Sequence, residues 1–153
     1  MLKSILSSST RRSARALIVL GVLPVVLLSA CGKAAPQDQV ATQVQRLVTA
    51  CSNKIGDYSG AAGLVAYNGS DKARKFKALA SAEGEERGIL NSTCYQISKL
   101  LDGKGDYELL GFSEEAESEG TWYVQQVRFG SGREAALAFI EIDGTLALGD
   151  IDS

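Results

Sequence analysis

The chain has 153 residues, with 16 Lys plus Arg against 18 Asp plus Glu, no His, three Cys and two Pro, which fits one compact domain plus appendages and excludes two large domains. Charged residues make up 22% and hydrophobic ones 45%, close to the globular average, which argues against a disordered, collagen-like or strongly nucleic-acid-binding chain. The first 30 residues hold four basic side chains (Lys3, Arg11, Arg12, Arg15) and no acidic ones, so the remaining 123 carry 12 positive and 18 negative charges, a net of -6.

Residues 1–15 form a basic, Ser-rich stretch, and residues 17–28 form an apolar run of a dozen. A spanning helix needs about 20 apolar residues and a signal-peptide h-region about 7–15. Residues 1–30 therefore read as a signal peptide that is removed. Leu28-Ser29-Ala30-Cys31 resembles the lipobox of bacterial lipoproteins at all four positions; the bland alternative is an ordinary secretory signal with a chance cysteine. The resemblance implies lipidation of Cys31, and with more than one acyl chain the anchor is stable, because each buried methylene adds about 0.8 kcal/mol. Gly32 stands where Asp commonly signals inner-membrane retention, which implies the periplasmic leaflet of the outer membrane in a diderm bacterium. Arg11-Arg12 lead into Ser13-Ala14, not the apolar pair of a twin-arginine signal. Residues 31–39, small and polar after the cysteine, read as a flexible tether, and residues 40–153 as one domain.

In that domain Val40, Val44, Leu47, Val48 and Cys51 recur with the spacing of one helical face, with Asp38 as the expected N-cap and Gly56 as the stop. Residues 57–70 suggest a short second helix ending at Asn68-Gly69-Ser70, and Asp71 caps a further short helix carrying Phe76 and Leu79. A stronger helical pattern runs from about Glu83 to Leu101, with Ile89, Leu90, Cys94, Ile97, Leu100 and Leu101 on one side, and Asp102-Gly103 ends it. From there the period becomes two. Residues 107–117, 121–129, 133–142 and 145–151 read as four strands joined by Gly-containing turns. Asp143-Gly144 is the sharpest hairpin signal, since a type I′ turn needs positive φ at both central positions. Helices followed by an antiparallel meander indicate an α+β domain, helices covering one sheet face. The apolar residues occupy both sides of the strands: in the third, Ala136, Ala138, Ile140 and Ile142 oppose Leu137 and Phe139, and in the second, Trp122 and Val124 oppose Tyr123, Val127 and Phe129. The second face needs a pocket, a partner, a second copy or strong curvature.

The order of helices and strands, with the closing stretch from Phe139 to Asp152 as its final hairpin, resembles the NTF2-like group of cystatin-like folds. That resemblance implies N-terminal helices packed on a curved four-stranded antiparallel sheet. Enzymatic members of the group tend to use pocket His and Asp residues, and this chain has no histidine, so no catalytic position is carried over.

Once Cys31 is lipidated, Cys51 and Cys94 remain, an even number in an oxidising compartment. Each lies on the apolar face of an expected helix, and the choice is between a disulfide and two buried thiols. No His is available as general base or metal ligand, and G-x-S-x-G, S-x-x-K, C-x-x-C and the P-loop motif are missing. No catalytic residue, metal or cofactor is assigned, and no nucleic-acid partner.

Three constellations have two readings each. Lys72, Arg74, Lys75 and Lys77 either hold an anionic group or form a solvated face that Glu83, Glu85 and Glu86 neutralise. Glu114, Glu115, Glu117 and Glu119 either bind a cation or a basic protein, or keep a strand edge soluble and unpaired. Tyr58, Tyr67, Tyr95, Tyr107, Trp122 and Tyr123 line a cavity or sit in the core; Tyr67 and Trp122 are the candidate binding residues among them. The resulting expectation is a lipid-anchored, non-catalytic envelope module, held to the membrane through Cys31 and serving a protein partner or a homodimer. The alternatives are a carrier of a lipid or muropeptide and an inhibitor of a basic lytic enzyme.

Overall fold

The computed structural model describes residues 34–52, 56–67, 77–79 and 84–153, with only the backbone of Lys77. The expected signal peptide (residues 1–30), Cys31, Lys72, Arg74, Lys75 and the start of the short helix expected from Asp71 lie outside the described residues. Helix α1 (Pro36–Cys51) buries Val40, Val44, Leu47, Val48 and Cys51, the stripe the spacing predicts. It starts earlier than expected, so residues 36–39 are not part of a flexible tether, and its N-cap is Ala35, not Asp38. The reason is Pro36: its fixed φ suits the first helical position, and its missing N–H would be unpaired there in any case. The Ala35 carbonyl accepts from the amides of Asp38 and Gln39, and Asp38 favours the positive helix end from within the first turn.

The expected helix within 57–70 is a 3-10 turn, Ser59–Ala61, followed by strand β1 (Ala66–Tyr67). Tyr58 to Leu64 contain two glycines, Gly60 and Gly63, which disfavour propagation of a helix. Strand β1 pairs antiparallel with β2 (Lys77–Ala78), so the stretch leading to Leu79 is extended there and not helical. Helix α2 (Gly84–Leu101) buries Leu90, Cys94, Ile97, Leu100 and Leu101. Its end is held from a distance: Ser131 donates its hydroxyl to the Leu100 carbonyl, and the Arg133 guanidinium donates to that of Lys99 at 3.3 Å. These groups satisfy carbonyls that a helix C-terminus leaves open. Asp102 and Gly103, both at positive φ, turn the chain away.

Strands β3 (Tyr107–Glu117), β4 (Gly120–Phe129), β5 (Glu134–Ile142) and β6 (Thr145–Asp152) form one antiparallel sheet in sequence order. Asp143 and Gly144 have φ of 49° and 79°, the left-handed pair that a type I′ turn requires. A parallel bridge between Val65 and Leu148, with the Leu148 amide donating to Leu64 at 2.8 Å, sets the β1–β2 pair against β6. The register shifts between Leu109 and Phe112 and between Ala138 and Phe139, and such bulges bend a strand.

One sheet face meets both helices. Val127, Phe129, Leu137, Phe139, Leu146 and Leu148 join the stripes of α1 and α2 in a single core. On the other face Ala66, Trp122, Ile140 and Ala147 form a second, smaller cluster with Ala138 and Ile142 at its margin. The α+β class with two helices and a four-stranded antiparallel sheet is therefore as expected, including the two apolar faces.

Cys51 and Cys94 are joined by a disulfide, S–S 2.06 Å, between the two helices. It closes a loop across a separation of 43 residues, a constraint on the unfolded chain of about 4 kcal/mol. Replacing both cysteines by Ser is expected to lower stability by about that amount in urea unfolding at matched slope. Phe139 is fully buried against both helices' core, and Phe139→Ala is expected to lose about 3–5 kcal/mol by the same measurement.

Candidate functional site

Strand β3 is the outer strand of the sheet, and among the described residues it pairs with β4 alone. A strand rises about 3.4 Å per residue, and this one has 11 residues, so its outer side is a long row of open amide and carbonyl groups. Few of its side chains are drawn inward. Tyr107 and Phe112 pack against the core, Phe112 stacking on Tyr123 with ring centroids 6.4 Å apart. Leu109 and Leu110 lie at the bulge and are 38% and 36% exposed, two of the three large apolar side chains in the open among the described residues.

The bulge has a buried anchor. Gln125, 1% exposed, donates from Nε2 to the Gly111 carbonyl at 2.9 Å and to that of Gln126 at 3.0 Å. The shifted register removes Gly111 from the regular ladder, and a polar side chain from inside the fold takes its carbonyl instead.

Charge is distributed unevenly along β3. At its start Glu108 meets Arg128 at 3.0 Å, and Arg128 also meets Glu134 at 2.7 Å; the Glu134 carboxylate, more than Glu108, holds the guanidinium pKa above its usual value. Further on, Glu114, Glu115 and Glu117 lie in the strand and Glu119 in the turn, all exposed. Their β4 partners are Tyr123, Trp122 and Gly120, and none of the four carboxylates meets a cation among the described residues. Glu119 accepts from the Ser118 hydroxyl at 2.7 Å, a bond that holds its pKa below the usual carboxylate range. The β3–β4 ribbon thus changes from a compensated end to an anionic end.

Among the described residues, small clefts border the sheet. One, of about 220 Å³, lies between α2 and β6 and is lined by Val65, Ile89, Ser92, Thr93, Gln96 and Asp150 among others. Another, also about 220 Å³, lies at the start of α1, where Ala34, Ala35, Pro36 and Gln39 face Tyr123, Glu141 and Leu146. A broad depression of about 470 Å³ follows α1 along Gln45, Arg46 and Thr49. Drug-sized ligand sites usually occupy about 300–1,000 Å³ and are mostly enclosed; the two clefts fall below that range, and the depression reaches it only as an open surface.

The candidate binding residues do not form one site. Trp122 is buried in the second cluster and Tyr67 packs, half-buried, on the first, so they serve opposite faces of the sheet and do not share a cavity wall. The alternation that separates Trp122 from Tyr123 explains the split. Tyr95 stands in solvent, 58% exposed, with the Lys99 ammonium 5.4 Å from its ring centroid. Lys77 lies in β2, and the other members of its basic run lie outside the described residues. Among the described residues no three His, Cys, Asp or Glu side chains are grouped to hold a metal ion, and no helix is long and apolar enough to cross a membrane.

Leu109 and Leu110 were not singled out by sequence reasoning, although a signal exists. Two leucines in succession before Gly111 break the alternation of the strand, a pattern consistent with the register shift found there. No protein-family model matches the chain, and comparison with curated proteins and with solved structures finds no match.

Because Ser118 favours the charged form of Glu119, any stability this bond contributes is present above the ordinary glutamate pKa and lost as pH falls through the lowered folded value. A carbon-detected NMR titration is expected to find Glu119 titrating below an ordinary glutamate, and Ser118→Ala to return it toward that range. Tyr107, partly desolvated, is expected to titrate above an exposed tyrosine in an ultraviolet titration.

Proposed function

We propose that the chain is an exported, lipid-anchored module of the cell envelope that acts by binding a protein partner and has no catalytic activity. The observation that carries the interaction reading is strand β3, an open sheet edge with two exposed leucines beside four uncompensated glutamates. Export and anchoring rest on the basic start, the short apolar run and the tetrad ending at Cys31. The Cys51–Cys94 bridge supports export, since disulfides form and persist outside the reducing cytosol.

On this reading the anchor acts at short range. Helix α1 begins at Pro36, so the chain from Cys31 to the helix spans at most about 17 Å when extended. The end of the domain nearest the bilayer is then the one with Tyr123, Glu141 and Leu146, which border Ala34 and Ala35. Gly32 favours the periplasmic leaflet of an outer membrane. The architecture is further read as NTF2-like, supported by two helices preceding a four-stranded meander and by the β1–β2 pair alongside β6.

One observation favours a second reading. The cleft between α2 and β6 combines apolar walls with Ser92, Thr93, Gln96 and Asp150, the mixture of a small-ligand site, and a lipid headgroup or muropeptide is the class to test by thermal stabilisation. Inhibition of a basic lytic enzyme is a special case of the first reading, in which the partner is cationic.

Two measurements test the proposal. Metabolic labelling with a palmitate analogue is expected to mark the chain, and Cys31→Ser to abolish both the label and partition into the detergent phase; an unlabelled wild-type chain would overturn the anchor. Capture of the tagged full-length protein from crosslinked membranes is expected to recover a stoichiometric partner. Repeated recovery of the bait alone would overturn the interaction reading in favour of the ligand reading.

A further inference from the structure

An open strand edge accepts another strand, because its unpaired amide and carbonyl groups repeat at a fixed interval. Proteins usually protect such edges, and like charges are one protection. Here the protection is selective by position. Among the described residues the glutamates without a cation, Glu114, Glu115, Glu117 and Glu119, occupy the second half of β3 and its turn, while in the first half Glu108 is paired with Arg128 and Leu109 and Leu110 stand exposed. A second copy laid along this edge brings another set of uncompensated carboxylates to a surface that already has four, and the mature chain carries -6 overall. The same charges that reject a copy attract a cationic strand.

We propose that β3 takes up an extended segment of a partner protein by strand addition, the segment being basic where it runs beside Glu114–Glu117 and apolar where it runs beside Leu109 and Leu110. Antiparallel pairing is the more stable arrangement per residue, so the basic half of the segment comes first in its own sequence and the apolar half follows. Glu114 and Glu115 project to opposite faces, as successive strand residues do, so cations on both faces of the incoming strand are served. Glu119, exposed in the turn and ionised at neutral pH like any exposed glutamate, extends the field past the end of the strand. The Arg128 bridges to Glu108 and Glu134 leave the ribbon's other end less anionic than the end at Glu114–Glu119, so the cationic half has one preferred position. The inference rests on the partner-binding reading and is independent of the lipid anchor.

The test uses the full-length chain in detergent micelles and a fluorescent decapeptide with alternating Lys and Thr in its first half and alternating Val and Thr in its second. Anisotropy is expected to detect binding that weakens as salt rises, and hydrogen exchange to show new protection in β3. Glu114→Gln, Glu115→Gln and Glu117→Gln combined, all at exposed positions, are expected to weaken binding at least tenfold with an unchanged circular dichroism spectrum. N-methylation of alternate peptide amides is expected to abolish it, since that removes hydrogen bonds to the edge and leaves the charge in place. The peptide with its halves exchanged has the same composition and is expected to bind at least tenfold more weakly. Equal or tighter binding of the exchanged or N-methylated peptide, or protection elsewhere than in β3, would overturn the proposal. A chain that captures a stoichiometric membrane partner yet ignores the decapeptide would keep the interaction reading and remove strand addition.

Discussion

The apolar stripes of α1 and α2 have one surface large enough to cover them, the sheet face that carries Val127, Phe129, Leu137, Phe139 and Leu148. Burying a large apolar side chain is worth about 1.5–3 kcal/mol, and here the helices and the sheet bury theirs against each other in one interior. Other features depend on that contact. It brings Cys51 and Cys94 within bonding distance, with Cα atoms 4.7 Å apart. It also brings the end of α2 to the β4–β5 turn, where Ser131 and Arg133 accept the role of a cap. The disulfide then limits how far the two helices can separate when the core loosens.

The helices cover the middle of the sheet and leave its margins different from one another. At β6 the parallel bridge from Val65 to Leu148 brings the β1–β2 pair alongside, so that margin is partly occupied. At β3 no described element follows, and most of the strand's side chains stand in solvent. The asymmetry follows from connectivity. The chain that precedes α2 is available to reach β6, whereas β3 comes directly after α2 and has β4 as its only sequence neighbour in the sheet. An unpaired edge of this length needs a chemical device to remain single, and the glutamates from Glu114 onward supply one.

Legibility in the sequence varied with the range of the interactions involved. The faces of α1 and α2, the four strands and the Asp143-Gly144 turn were readable because each is set by neighbours within a few residues: periodic apolar side chains, or a backbone angle that glycine and aspartate tolerate. The described part of the 57–70 segment misled, because isolated apolar residues among glycines have no dominant period, and Val65 bridges to Leu148 only because β6 offers a partner. That the candidate binding residues Tyr67 and Trp122 pack in different clusters was hidden for a related reason. Both are aromatic and polar-tipped, but which sheet face each meets is a matter of pairing between distant strands.

The sequence alone determined the α+β class, the helix stripes, the meander and the acidic balance of residues 31–153, since local periodicity and charge count require no knowledge of what lies across the fold. Only the tertiary structure decided that Cys51 meets Cys94, that Gln125 reaches inward to the Gly111 carbonyl, and that Leu109, Leu110 and the glutamates share one open edge. Those outcomes depend on strand order and register. A shift of one residue in pairing exchanges the two faces of a strand, and nothing in a strand's own residues states which edge of the sheet it will occupy.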